Sequence, residues 1–188
     1  MKNIISNKFF LAVLLLAGFS SKTFSQALTT EDIKAQMVKE WERAKSYTDE
    51  YLNTMPADKY TFRAVPVDSV RNFAQQMLHL AQANFFLMAK ATGEQPPAFV
   101  NSNMEHSASA QTKDSVMYYV NASYDFCANA VKNSDLNKWG EKIKIFGMET
   151  TRYAMMIKTF EHQTHHRGQT TIYIRVAGIK PPQEKLFS

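Results

Sequence analysis

The sequence of 188 residues predicts an all-helical fold, four long helices packed as a single bundle. Three observations lead there. Four segments repeat apolar residues at spacings of three and four, the period of a helix with a buried face. Every proline lies outside those segments, and so does every glycine but Gly168. No run alternates apolar and polar residues over enough positions to build a sheet.

The first helix is expected from Thr29-Thr30-Glu31-Asp32 to about Met55, before Pro56. A hydroxyl cap precedes acids that suit the positive end of the helix dipole. Ile33, Met37, Trp41, Ala44, Thr48, Tyr51 and Leu52 form its apolar stripe. Residues 56–67 read as a connector. The second helix is placed from near Asp68-Ser69 to Thr92, with Gly93 as its C-cap. Val70, Phe73, Met77, Leu80, Phe85, Leu87 and Met88 cover most of its circumference, so it should be buried on several sides. Glu94 to Gln111 is a long polar loop holding Pro96-Pro97. A third helix follows from about Thr112 to Lys132, with Val116, Tyr119, Val120, Phe126 and Ala130 inward. After a loop with Trp139, Gly140 and Gly147, the fourth helix runs from Glu149-Thr150 to Ala177. Gly178 and then Pro181-Pro182 stop it. Four such segments in one small domain make a four-helix bundle.

Ahead of the bundle, Lys2 and Lys8 accompany an apolar run from Phe9 to Phe19, and small and polar residues lead to Ser25-Gln26. This is the layout of a secretory signal over residues 1–25, too short in its apolar part for the roughly 20 residues of a membrane span. Residues 26–188 would then be one exported domain, periplasmic or secreted, with no stable membrane insertion. The whole chain carries 22 basic and 17 acidic residues, a net +5. Losing Lys2, Lys8 and Lys22 leaves 19 basic residues against 17 acids, a net +2. With no clustered Lys/Arg stripe to follow phosphates, nucleic-acid binding is disfavoured. Cys127 is the single cysteine, which excludes an intramolecular disulfide. Its helical, apolar surroundings point to a buried structural thiol.

The chemistry concentrates in Glu161-His162-Gln163-Thr164-His165-His166-Arg167-Gly168-Gln169. Residues four apart stand one turn above each other on one helix face, so His162 and His166 can reach one ion. At ~100° per residue, Met155, His162, His166 and Tyr173 fall within roughly 40° of one another, while His165 lies about 80° to the side. A pair of His162 with His165 is the lesser alternative, and a hydrogen-bonded core pair of His162 with His166 also satisfies the spacing. His79, mid-way along the apolar second helix on a face with Ala83 and Phe86, is the candidate third ligand. A lone core histidine is commonly just hydrogen-bonded, but bundles build metal sites from inward side chains of facing helices. Three neutral nitrogens suit zinc, nickel, iron or copper, and leave coordination positions open. His106, in the 94–111 loop, is expected in solvent, with a role as a cover over the site as the alternative.

The stretch from His162 to Gln169, followed by Tyr173, Arg175, Gly178, Pro181 and Pro182, closely resembles the last helix of DinB-like (damage-inducible) proteins, and His79 matches their earlier histidine. The resemblance covers essentially the mature chain. It implies an up-down four-helix bundle with a long crossover, commonly a homodimer, and one divalent ion on His79, His162 and His166. Zinc or nickel leads, with iron or manganese as further choices. Arg167 and Gln169 would be supporting residues beside the site. Some relatives are transferases or an isomerase that use low-molecular-weight thiols, cofactors not expected outside the inner membrane.

The resulting expectation is a metal-dependent enzyme, hydrolase- or transferase-type, acting on a small molecule. The alternative is a non-catalytic metal-binding or stress-response bundle. The catalytic residues are unknown from sequence; Tyr173, Gln169 and Glu161 are candidates by proximity alone.

Overall fold

The computed structural model describes residues 27–67 and 69–187. The expected signal over 1–25, its junction at Gln26, and Asp68 lie outside the described residues. Four helices carry the structure: α1 (Thr30–Thr54), α2 (Phe73–Thr92), α3 (Lys113–Asn133) and α4 (Arg152–Val176). A hairpin of β1 (Lys142–Ile145) and β2 (Met148–Thr151) precedes α4.

Side-chain caps set most of the boundaries. Thr29 and Asp32 form a reciprocal capping box at the start of α1. At α2 the cap is Asn72, boxed with Gln75, so this helix begins some four residues later than the Asp68-Ser69 expectation. Instead the Val67 and Val70 amides bond the Val65 and Val67 carbonyls at 2.9 and 3.0 Å. Gly93 (φ 85°) closes α2 and Gly178 (φ 80°) follows α4, both in the left-handed conformation that glycine adopts without strain. Thr151 caps α4, two residues past the expected Glu149.

The hairpin is a departure from the all-helical expectation. Its strands are four residues each, paired antiparallel from Lys142 opposite Thr151 to Ile145 opposite Met148. Strands this short give too few alternations to register as a period, and the turn Phe146-Gly147 offers only one of the usual turn residues.

Cross-helix contacts fix the topology. Lys45 reaches Asp125 and Asp49 meets Asn121, so α1 and α3 run antiparallel. Gln76 meets His166 and Arg152 reaches the Ala91 carbonyl, so α2 and α4 are antiparallel too. Asn72 bonds Gln111 and Asn84 bonds Ser123, making α2 and α3 parallel neighbours. The order is therefore up, down, down, up, and residues 93–112 are the long crossover that returns the chain along the bundle. That crossover bears two short 3₁₀ turns, Met104–His106 and Ala108–Gln111.

The expected stripes line the core. Trp41, Leu52, Phe73, Met77, Phe85, Val116, Val120 and Ile174 are all buried. Cys127 is buried as well, and burial pushes its thiol well above the usual range, which leaves it packed and unreactive. Among the described residues no helix is long and apolar enough to cross a membrane.

Candidate metal centre

Helices α2 and α4 bring His79, His162 and His166 together, with one ring nitrogen of each within 4.8 Å of the others. Ring centroids are 4.3 Å apart for His162 and His166, 4.6 Å for His79 and His166, and 5.4 Å for His79 and His162. His166 is buried, with Gln76 and His79 of α2 against its ring; His162 and His79 are half-buried. Met155 and Tyr173 are buried too. His165 is exposed and its Nε2 accepts from the Gln169 side-chain amide at 3.0 Å, outside this trio. His106 is exposed on its 3₁₀ turn.

Each ring has a different set of neighbours. Nδ1 of His79 meets Glu105 Oε2 at 2.9 Å, and Arg71 holds the other Glu105 oxygen at 2.6 Å. Nδ1 of His166 meets the Gln76 side-chain amide at 2.9 Å. For His79 this leaves Nε2 for the centre. With the Gln76 amide nitrogen donating to Nδ1 of His166 the ring proton sits on Nε2, so His166 would ligate with the amide turned to present its oxygen to Nδ1–H. His162 differs: its Nε2 lies 3.1 Å from Nε2 of His166, and its Nδ1 is buried without a hydrogen-bond partner.

The electrostatics favour neutral imidazoles. Burial lowers His162 to about 4, with the nearby His79 adding to the effect. Burial and the neighbouring His162 lower His166 to about 3. Neutral rings are the form that binds metals. Glu105 is pushed up by burial, but the hydrogen bonds and charges of Arg71 and His79 prevail and hold it below the usual carboxylate range. It is thus an anion that can accept the Nδ1 proton of His79.

These residues fit a divalent ion. Two nitrogens each bound at about 2.0–2.1 Å to one ion stand roughly 3 Å apart, which matches the 3.1 Å between His162 and His166. A carboxylate behind a ligating histidine is the arrangement that fixes tautomer and ring direction. Neither Glu105 nor Gln76 was singled out from the sequence. Gln76 stands three residues before His79 on the same helical face, a signal that could have found it. Glu105 sits in the crossover, where only the fold brings it to α2.

Two clefts flank the trio along α4. One, of about 600 Å³, lies between the hairpin and the first half of α4 and is lined by Leu87, Met148, Met155 and His162 among others. The other, of about 330 Å³, lies toward the end of α4 and is lined by Arg71, Gln76, Gln169 and Tyr173 among others. Tyr173 donates to the Arg71 carbonyl at 2.6 Å. Glu161 is exposed and paired to Lys158 at 2.8 Å.

Arg167 does not join the histidines. It is buried one face around, donates to Gln163 Oε1 at 3.1 Å and lies over the Tyr47 ring at 4.6 Å from its centroid. The supporting role implied by resemblance is therefore not what its contacts provide. One residue further along a helix is ~100° of rotation, enough to turn Arg167 from α2 toward α1.

Fold and site together define a class: a helical bundle with a histidine trio that can hold a metal ion between two of its helices. The DinB family profile matches residues 24–187, and the chain belongs to the DinB family. A DinB-like protein from Bacillus cereus ATCC 10987 superposes with a TM-score of 0.67 at 15% identity, covering 84% of this chain and 98% of that one. The DinB-like protein YjoA from Bacillus subtilis gives a TM-score of 0.54 at 15% identity, covering 81% and 96%. At such identity these two speak for the fold alone. The chain is also similar to the uncharacterized protein YrdA of Bacillus subtilis strain 168, 29% identical over 69 residues, 34% of this chain and 41% of that protein. The match thus spans about two fifths of that relative's length.

Proposed function

We propose that this protein is a metal-dependent enzyme of the DinB family that acts on a small molecule, with His79, His162 and His166 as the ligands of one divalent ion. The observation that carries the reading is the convergence of three ring nitrogens from helices remote in sequence. Two of the rings have their other nitrogen already occupied, by Glu105 and by Gln76. The clefts on either side supply room for a substrate. A closed structural site would be walled in, whereas His162 lines an open cleft.

When bound, the ion supplies a Lewis acid for a substrate oxygen, or a bound water of lowered pKa. The chain's own contribution is to orient. Glu105, anchored by Arg71, holds His79 with its proton on Nδ1; Gln76 holds His166 on the opposite side of the centre. Three nitrogen donors suit zinc, nickel, iron or copper; the family resemblance puts zinc or nickel first and adds manganese. Tyr173 and Gln169 border the polar cleft, where they can meet a substrate's polar groups. The second reading, a bundle whose ion only ties α2 to α4, is favoured by the depth of His166 in the core.

Export and homodimer formation belong to the same proposal. They rest on the N-terminal pattern of residues 1–25 and on the family resemblance respectively. Intact mass of protein from its source should show residues 1–25 missing; a full-length soluble product contradicts export. Light scattering should give twice the chain mass. The functional reading itself is tested by elemental analysis of protein purified from its native compartment. About one divalent ion per chain supports it, and a protein that holds none after exposure to zinc, nickel, iron and manganese contradicts it.

A further inference from the structure

The hairpin before α4 has a feature that the metal centre does not explain. Its turn places Phe146 at φ 49°, in the left-handed region that bulky side chains rarely adopt. Asparagine or glycine would sit there without strain. Nor is Phe146 held by the core, because it is 76% exposed. Its ring lies 5.8 Å between centroids from that of Phe86, which is itself exposed. Met148, two residues on, is 64% exposed. Strain and exposed apolar surface coincide at the lip of the 600 Å³ cleft. Strained residues that persist are concentrated at ligand clamps and active sites.

The cleft itself has the character of a small-molecule site. Its volume falls within the roughly 300–1,000 Å³ of such pockets. Leu87, Ile145, Met148 and Met155 supply an apolar wall, and methionine adapts its shape to varied guests. Lys158 and Glu161 at its rim pair at 2.8 Å and Glu149 pairs with Lys142 at 2.9 Å, so each of these lining charges already has a counter-ion. At the α4 side stands His162, the histidine without a hydrogen bond at Nδ1 and the one metal-ligand candidate that borders this cleft.

We infer that this cleft holds the body of the substrate: an uncharged, apolar small molecule whose polar, reacting end lies toward His162 and the ion, with Phe146 and Met148 closing over it. The inference rests on the metal-centre reading above and adds to it a substrate class and a specificity wall.

The test is a series of straight-chain hydroxamates, whose head chelates a metal ion and whose tail grows from acetohydroxamate to octanohydroxamate, titrated calorimetrically into the zinc-loaded protein. If the tail enters the cleft, affinity rises by about fourfold for each fully buried methylene. Phe146→Asn removes the lip while relieving its backbone, so the variant should melt no lower than wild type and yet lose much of that slope. Met148→Asp, at an exposed position, should flatten the slope independently. Both variants should bind acetohydroxamate as wild type does. Acetohydroxamate binding with a flat slope in wild type, or an unchanged slope in both variants, overturns the cleft assignment and leaves the metal centre standing. Failure of every hydroxamate, short and long, on protein that has taken up no zinc removes the metal reading and this inference with it.

Discussion

Helix α4 presents two buried polar clusters side by side, and they are built in opposite ways. Toward α1 and α3, Gln163 and Arg167 join Thr48 and Tyr124: Tyr124 donates to Gln163 at 2.7 Å, Thr48 and Tyr124 share a bond of 2.7 Å, and Arg167 donates to Gln163 at 3.1 Å. None of the buried polar side-chain atoms of these four residues lacks a partner. Toward α2, His162 and His166 face each other and His79, with one nitrogen of His162 left orphaned. Both clusters use residues four apart on the same helix, 162 with 166 and 163 with 167. The first closes on itself and needs nothing more; the second is complete only on its outer side. Buried polar groups ordinarily find partners, so the first cluster accounts for its own groups while the second leaves one open, as the proposed metal site would.

If the closed cluster is structural, breaking it should cost stability and leave metal uptake intact. Arg167→Ala removes a buried side chain and its hydrogen bonds at once, an expected loss of about 3 kcal/mol. Denaturant unfolding measures this, with metal content near wild type as the accompanying result. Loss of the ion in this variant would merge the two clusters into one functional unit.

The open cluster should respond to metal instead. An ion that binds only the folded chain, present at about a hundred times its dissociation constant, adds roughly 2.7 kcal/mol. Chelation should lower the melting temperature accordingly, and zinc or nickel should restore it. No change after verified removal would mean that the ion does not bridge α2 and α4.

Proton binding sharpens the contrast. His162 and His166 are lowered to about 4 and about 3 from the ordinary 6.5, first by burial and then by neighbouring rings. Between those values the unfolded chain binds more protons than the folded one. In metal-free protein, the stability present above pH 6.5 is therefore lost as pH falls toward 4 and then 3. Replacing both histidines with asparagine should remove this component of the acid sensitivity, which pH-dependent urea titrations of the two proteins would show.

Glu105 offers a smaller effect, confined to the centre. Glu105→Gln keeps the shape but loses the anion behind His79, so metal affinity should fall roughly 10- to 100-fold. Competition against a chromophoric chelator reads this directly; unchanged affinity would reduce Glu105 to a partner of Arg71 alone.

What the sequence made legible follows from which interactions are local. The pairing of His162 with His166 is a property of one helix, and their shared face with Met155 and Tyr173 follows from 3.6 residues per turn. The helix ends near Met55, Thr92 and Ala177 were readable because proline and glycine act within a turn of their own position. Glu105 was not, since its approach to His79 depends on how the crossover folds across α2. The hairpin escaped because four-residue strands carry almost no period, and Arg167 was placed by resemblance where only its contacts could tell which way it turned. The late start of α2 followed from the Asn72–Gln75 capping box prevailing over the earlier Asp68-Ser69 signal.

The central claim, that His79, His162 and His166 hold the ion while His165 does not, is tested most directly by metal content of two single variants measured side by side. His166→Ala should lose the ion or weaken it sharply, because the buried nitrogen facing His162 at 3.1 Å is gone. His165→Ala should keep close to one ion per chain, because that ring is exposed and bonded to Gln169. The reverse outcome, with the ion lost from His165→Ala and retained by His166→Ala, would contradict the account.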